Sequence, residues 1–230
     1  MKRIAILQSN YIPWKGYFDM IAAVDEFILY DDVQFTKSDW RNRNQIKTPN
    51  GTMWLTIPVG SDLNRTIREV LLPDDQWRIK HLRALNHSYR SAPFYEEVMH
   101  LISPEYEPKA HSTLSSLNRK LTEVICGYLG ITTKITNAWD YPVTVGKTSR
   151  LVDLCEQVGA QVYVSGPAAK SYLDVSLFAD RGISVEWFDY SGYEEYSQLW
   201  GSFVPAVSVL DLLFNCGKSS PQFMKYVRRL

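Results

Sequence analysis

Two short stretches of this chain hold more polar and aromatic side chains than a turn requires. The first is Gln8-Ser9-Asn10-Tyr11-Ile12-Pro13-Trp14-Lys15-Gly16-Tyr17, and the second is Ser165-Gly166-Pro167-Ala168-Ala169-Lys170-Ser171-Tyr172. Each follows a short apolar run and precedes a helical pattern. Helix N-termini present N–H groups to phosphate or carboxylate. Gly16 and Gly166 would let a ligand come close to the backbone. The plainer reading of each stretch is a strand-to-helix turn punctuated by Gly and Pro. A second apolar run ends in Asp31 and Asp32. This pair could hold Mg²⁺, orient an amine or hydroxyl, or simply form a turn with a salt bridge to Lys37 or Arg41. Adjacent strand residues face opposite sides, so at most one of the two looks into a shared cleft.

Lys37, Arg41, Arg43 and Lys47 lie close together with Asn42 and Asn44 between them and Asp39 as the one acid. That set suits an anionic group such as phosphate. With Trp40 available for stacking it also suits RNA, and the bland reading is a solvated hairpin face. His81 and His87 lack the helical i,i+4 metal spacing, and His100 and His111 stand alone, so no metal set is expected. There is no GxSxG elbow, no GxxxxGK[ST] loop and no GxGxxG. Gly146-Lys147-Thr148 has the tail of a phosphate loop without its upstream Gly and reads as a helix cap.

The elements that must position these residues are legible as a pattern. Arg3 to Gln8 and Phe27 to Tyr30 read as buried strands flanking a helix from Tyr17 to Val24, a βαβ unit with a right-handed crossover. Asn50-Gly51 signals a hairpin joining Asn44–Lys47 to Met53–Val59. Ile67 to Leu72 reads as a further strand and Asp74 to Tyr89 as a surface helix. Pro93, Pro104 and Pro108 interrupt the next stretch. Leu114, Leu117, Leu121, Val124, Ile125 and Tyr128 form one stripe of a helix over His111–Leu129 that Gly130 ends. Strands are expected at Lys134–Trp139, Gln161–Ser165 and Ile183–Phe188. Helices are expected from Thr148 or Ser149 to Val158 and from the second polar stretch to Asp180. Ser220-Pro221 would open a short terminal helix carrying Phe223, Met224, Tyr226 and Val227. The expectation is one α/β domain over residues 1–230, with a less regular inserted hairpin and helical section at about 36–110. In such sheets ligands sit beyond the carboxyl ends of the strands, where both polar stretches fall.

Composition narrows the class. Of 230 residues, 45% are hydrophobic and 22% charged, and Lys+Arg and Asp+Glu are both 25. A balanced net charge gives no general pull toward nucleic acid or membrane. Cys126, Cys155 and Cys216 are too sparse for a disulfide framework or metal set. No apolar run is long enough to span a bilayer and the start lacks a signal-peptide core, so a cytoplasmic protein is expected.

The segments QSNYIPWKGYFDMI, YDDVQF, RNRNQIK, WLTIPV, YVSGPAAKSYLD and SVLDLLFNCG resemble the WbqC-like family over nearly the whole chain. Genes of that family are similar in context to O-antigen and other surface-polysaccharide loci. The resemblance implies amide-forming transfer of a glycyl or other acyl group to an amino sugar. The opening also resembles the HIGH-type nucleotidyltransferases, nearest pantothenate synthetase, which implies a Rossmann-like, nucleotidyltransferase-like parallel sheet with helices on both faces. Trp14-Lys15-Gly16-Tyr17 stands where that superfamily has HxGH, so both histidines are missing. Lys15, Tyr17 and Asn10 would have to contact phosphate instead. Gln34-Phe35 is similar to a Gln-Phe pair of pantothenate synthetase. Ser165, Gly166, Lys170 and Tyr172 are similar to its Phe-Gly-x-Lys-Asp-Tyr stretch.

These resemblances imply three functions. The first is acyl transfer to a nucleotide-linked amino sugar. Lys15, Lys37, Arg41 and Arg43 would hold phosphates, and Asp31 or Asp32 would take the amine proton. Tyr11, Trp14 and Tyr17 would stack, and Gln8, Ser165, Gly166 and Lys170 would line the cleft. The donor would be an amino acid activated by ATP and Mg²⁺, or an aminoacyl-tRNA. The second is an active nucleotidyltransferase. The third is a module that binds a nucleotide sugar without catalysis.

Overall fold

The computed structural model describes residues 1–142 and 146–227. Strand β1 (Arg3–Leu7) leads into helix α1 (Lys15–Ala22) and strand β2 (Glu26–Leu29). An antiparallel hairpin comes next, β3 (Arg43–Thr48) and β4 (Gly51–Thr56). Gly51 at its turn has φ +103°, a region open to Gly at little cost. Then come helices α2 (Gln76–Tyr89), α3 (Tyr95–Ile102) and α4 (Leu114–Leu129). The chain continues through β5 (Lys134–Asn137), α5 (Thr148–Gln157), β6 (Val162–Ser165), α6 (Ser176–Ala179), β7 (Ser184–Trp187) and α7 (Val209–Cys216).

Strands β1, β2, β5, β6 and β7 form one parallel sheet in the order β5-β2-β1-β6-β7. Counting only these five in chain order, the arrangement is 3-2-1-4-5, the Rossmann-like order. The direction of winding reverses between β1 and β6, so the crevice opens between the loops after those two strands. The middle strands are continuous apolar runs because both faces are covered. Ala5, Phe27, Leu29, Val162 and Val164 face a large core shared with α1, α4 and α7. Ile4, Ile6, Ile28 and Tyr163 face a smaller one shared with α5 and α6. Hairpin, α2 and α3 are inserted between β2 and its crossover helix α4. Thr113 caps α4 by accepting the Ser116 N–H at 3.2 Å, and Gly130 (φ +78°) ends it. Among the described residues no helix is long and apolar enough to cross a membrane.

Four expectations change. Ile67–Leu72 is no strand: Glu69 accepts both the N–H and the hydroxyl of Thr66 at 2.7 Å, closing a short 3-10 turn over Ile67–Glu69. The Pro-interrupted region forms α3, because Pro104 falls beyond its last turn. Helix α7 has no counterpart among the expected elements, because its 8 residues are apolar except for Asp211 and Asn215, and so short an apolar run does not distinguish helix from strand. Toward the end, a 3-10 helix over Gly217–Phe223 carries Pro221 inside it, and Met224 is extended. The buried Asp19 carboxylate accepts the N–H groups of Lys225, Tyr226 and Val227 and pins the segment there. The terminal helix expected to open at Pro221 and run through Phe223 and Met224 is therefore broken at Met224.

Candidate functional site at the carboxyl edge of the sheet

Strand alternation separates the two aspartates. Asp31 continues the face of Phe27 and Leu29 and turns toward α4. It is fully buried, accepting the Ser9 N–H at 2.7 Å and the Ser115 hydroxyl at 2.6 Å. Burial raises its pKa, opposed by those two hydrogen bonds. Both oxygens are engaged in holding the first polar loop against α4, so Asp31 reaches neither a cation nor a substrate. Asp32 continues the face of Ile28 and Tyr30 and turns toward α5, where Arg150 pairs with its Oδ2. The Arg150 guanidinium also lies 5.2 Å from the Tyr30 ring centroid. The second oxygen of Asp32 is buried without a partner. The two carboxylates cannot share one Mg²⁺.

The loop after β1 is bonded along its length. Arg41 donates to Asn10 Oδ1 and is 3.4 Å from Asp39. Tyr11 is fully buried. The Nε2–H of His81 donates to the Thr56 carbonyl (3.2 Å), which leaves Nδ1 to accept from the Tyr11 hydroxyl (2.8 Å). The Tyr106 hydroxyl then donates to Tyr11 at 2.6 Å. Burial holds the His81 pKa down at about 4, so the imidazole is neutral. Ile12 has φ +36°, a costly conformation for a β-branched residue and the kind of strain that collects at ligand sites. The Trp14 ring lies over Gly16, where a Cβ would meet it at 2.4 Å. Gly16 therefore makes room for Trp14 rather than for a ligand.

Lys15 and Tyr17 are corrected in the same way. The Lys15 ammonium donates to the Glu194 carbonyl at 2.9 Å and sits 5.1 and 5.2 Å from the Tyr193 and Tyr196 rings. Burial lowers its pKa. Tyr17 is a core residue, edge-on to Phe27, with its hydroxyl donating to the Gln8 carbonyl at 3.2 Å. Of Tyr11, Trp14 and Tyr17, only Trp14 offers a partly open ring. The residues present do not fit a triphosphate here, because the cation expected to receive it is turned into the C-terminal segment.

A slot does open at this edge. Asn10, Pro13, Trp14, Trp40, Asn44 and Ala206 enclose about 230 Å³ between the first loop, the hairpin and the loop before α7. Trp40 is held 5.5 Å from Trp54, and the Arg43 guanidinium covers Trp54 at 4.2 Å. The basic stretch is thus divided. Lys47 is buried and donates to Gln198 and the Ser202 carbonyl, Arg41 closes the back of the slot through Asn10, and Lys37 stays in solvent. It forms no single cationic surface. Gln34 lies elsewhere, donating to the Leu63 carbonyl at 3.1 Å.

The loop after β6 is more open. Ser165 is buried at its root, while Lys170 and Tyr172 are exposed and Lys170 lies 5.7 Å over the Trp187 ring. Tyr190 links the two loops: its hydroxyl lies near Gly166 and its ring is 5.3 Å from Trp14. Sequence reasoning passes over Arg150 and Tyr190, and it weighs His81 only as a metal ligand, not as a partner of Tyr11.

Asp140 takes structural bonds at this edge and Glu26 at the opposite, amino edge, and among the described residues no three His, Cys, Asp or Glu side chains group as a metal site. No solved structure matches this chain significantly. A curated protein of Mycobacterium tuberculosis (strain ATCC 25618 / H37Rv), named only as uncharacterized protein Rv1507c, is 52% identical over 231 residues, covering 100% of both chains. The sequence profile described as the WbqC-like protein family matches residues 8–223. The chain belongs to the WbqC-like protein family.

Proposed function

We propose that this chain binds a nucleotide-linked amino sugar at the carboxyl edge of its parallel sheet and acylates the sugar amine. The observation that carries this reading is the slot between Trp14 and Trp40, with the Asn10 amide at its wall, set beside the reversal point of the sheet. Flat aromatic walls with an amide group suit a base or a sugar ring. At about 230 Å³ the slot holds one ring, and the rest of the ligand lies along the edge toward Gly166.

In the transfer, the amine nitrogen attacks the acyl carbonyl carbon. A C–N bond forms, the bond to the donor's leaving group breaks, and the amine proton passes to a carboxylate. We assign that role to Asp32, the carboxylate of the pair that Ser9 and Ser115 do not engage, with Arg150 paired to its other oxygen. The acyl group arrives already activated, because the reading gives Lys15 no phosphate to hold. An aminoacyl-tRNA or another activated ester is the donor class.

The test is a thermal-shift panel of UDP- and dTDP-linked sugars, ATP and AMP, followed by amide-formation assays with each binder. A ligand bound only by the native state raises the melting temperature. A sugar nucleotide should raise it and ATP should not, and Asp32→Asn should fold, bind and fail to transfer. Unchanged turnover in Asp32→Asn would remove that residue from the mechanism. One observation favours a second reading, binding without transfer. Lys15 and Asp31, two of the three groups expected to do chemistry, are engaged in the fold itself. Saturable sugar-nucleotide binding with no amide formed from any donor would decide for it.

A further inference from the structure

A second cavity lies at the same edge of the sheet, outside the slot, between the end of β5, the 3-10 turn that carries Arg68 and the start of α4. It encloses about 330 Å³, and Arg68, Ser115, Ser116, Arg119, Asn137 and Trp139 are among its lining residues. Its charge is one-sided: two guanidiniums from separate segments line it, and no carboxylate does. Arg68 rests 5.2 Å over the Trp139 ring, and the adjacent Glu69 carboxylate is hydrogen-bonded to Thr66. Arg119 spends two of its donors on Glu123 (2.8 Å) and the Ile135 carbonyl (3.1 Å), which fixes the guanidinium in place. The neighbouring acids are engaged. Glu69 bonds Thr66, Glu123 bonds Arg119, and Asp140 bonds Asn137. The positive end of the 16-residue α4 adds to this field.

A second, independent observation points to a ligand. Asn137 is 9% exposed, and its Nδ2 donates to Asp140 at 3.2 Å. Its Oδ1 is buried without a hydrogen-bond partner. An orphan buried acceptor is costly to leave unpaired, and a donor on a bound molecule would relieve it. An anion alone satisfies the arginines but not this oxygen. The volume also lies in the range of small organic ligands rather than bare ions.

We propose that this cavity binds a phosphate ester carrying a free hydroxyl, a sugar phosphate or a nucleoside monophosphate. The phosphate lies between Arg68, Arg119 and the first turn of α4, and the hydroxyl donates to Asn137 Oδ1. The assignment does not rest on the slot ligand. Asp31 and Ser115 form the wall between the two sites, so a transfer reaction would have separate places for its two substrates.

The test measures binding of glucose 1-phosphate, AMP and inorganic phosphate to the full chain by calorimetry. Three variants are compared: Arg68→Gln, Arg119→Gln and the slot variant Trp40→Ala. Arg68 is exposed, so an unchanged melting temperature without ligand confirms that its variant folds. At least one ester should bind, with affinity at least about tenfold lower in each arginine variant and unchanged in Trp40→Ala. Which ester binds identifies the source of the phosphate. Failure of both esters at millimolar concentration would overturn the site, as would undiminished binding in both arginine variants. Inorganic phosphate binding as tightly as the esters would overturn the ester assignment. Loss of ester binding in Trp40→Ala alone would move the ligand to the slot.

Discussion

The loops after β1 and β6 flank one crevice and carry similar residue types, yet the fold uses them differently. The first is consumed by its own architecture: Ser9 is held by Asp31, Asn10 by Arg41, Tyr11 by His81 and Tyr106, and Lys15 by Glu194. In the second, Lys170 and Tyr172 stand in solvent and Ser171 bonds only the nearby Ala168 carbonyl. Side chains in the first loop mostly shape the slot, while those in the second remain available to a ligand. A polar cluster at a strand end marks a place where much is being specified, and only the partners tell whether that is a fold or a contact.

The comparison breaks most visibly at Asp31. Asp31→Ala leaves the buried Ser9 N–H and Ser115 hydroxyl without their acceptor, and each such orphan costs about 1–3 kcal/mol. Urea unfolding should show a loss of about 3 kcal/mol or more. Asp31→Asn keeps one acceptor and the serine hydroxyl can reverse, so its loss should be clearly smaller. If Asp31→Ala melts like the native chain, the first loop is not held as described.

His81 gives the next largest effect, through pH. Its pKa falls from the ordinary 6.5 to about 4 on folding. Between these values the unfolded chain binds more protons than the folded one, so stability rises with pH there. The contribution is whole above pH 6.5 and is lost as the pH falls toward about 4. Its full extent is about 3 kcal/mol. His81→Gln should lower stability at pH 7 and flatten the slope between pH 6.5 and pH 4 relative to the native chain. Equal slopes in both proteins would mean that His81 is not buried neutral.

Gly16→Ala tests the slot wall itself. The added methyl would stand 2.4 Å from the Trp14 ring, so the indole must move. Overpacking of this kind costs about 1–3 kcal/mol. The nucleotide-sugar binding proposed for the slot should also weaken, because Trp14 forms one of its sides. A variant that keeps both its stability and its binding would place the ligand elsewhere.

Much of the sheet was legible because buried parallel strands are continuous apolar runs and their helices keep a period. The separation of Asp31 from Asp32 was legible too, since alternation along a strand requires it. Helix α7 was not, because a mostly apolar run of 8 residues does not distinguish a buried helix from a buried strand. The directions of Lys15 and Asp31 were not either. Lys15 is claimed by Glu194, Tyr193 and Tyr196, and Asp31 by Ser115, all far along the chain. Local residue type states what a side chain can do, while its partner, brought from elsewhere by topology, decides what it does.

The smallest effect sharpens the comparison from the other side. Gly166 has φ −69° and ψ 152°, a conformation any residue adopts. A methyl there would lie 3.9 Å from the Tyr190 hydroxyl, an ordinary contact. The fold therefore does not require glycine at this position, and Gly166→Ala should stabilise the free protein by about 0.4–1 kcal/mol through the unfolded chain. If the ligand passes over this loop, the same methyl stands in its path. The melting temperature without ligand should then rise slightly while the shift produced by a sugar nucleotide shrinks. A variant that gains stability and binds the sugar nucleotide as before would confine the ligand to the slot and leave the second loop as plain surface.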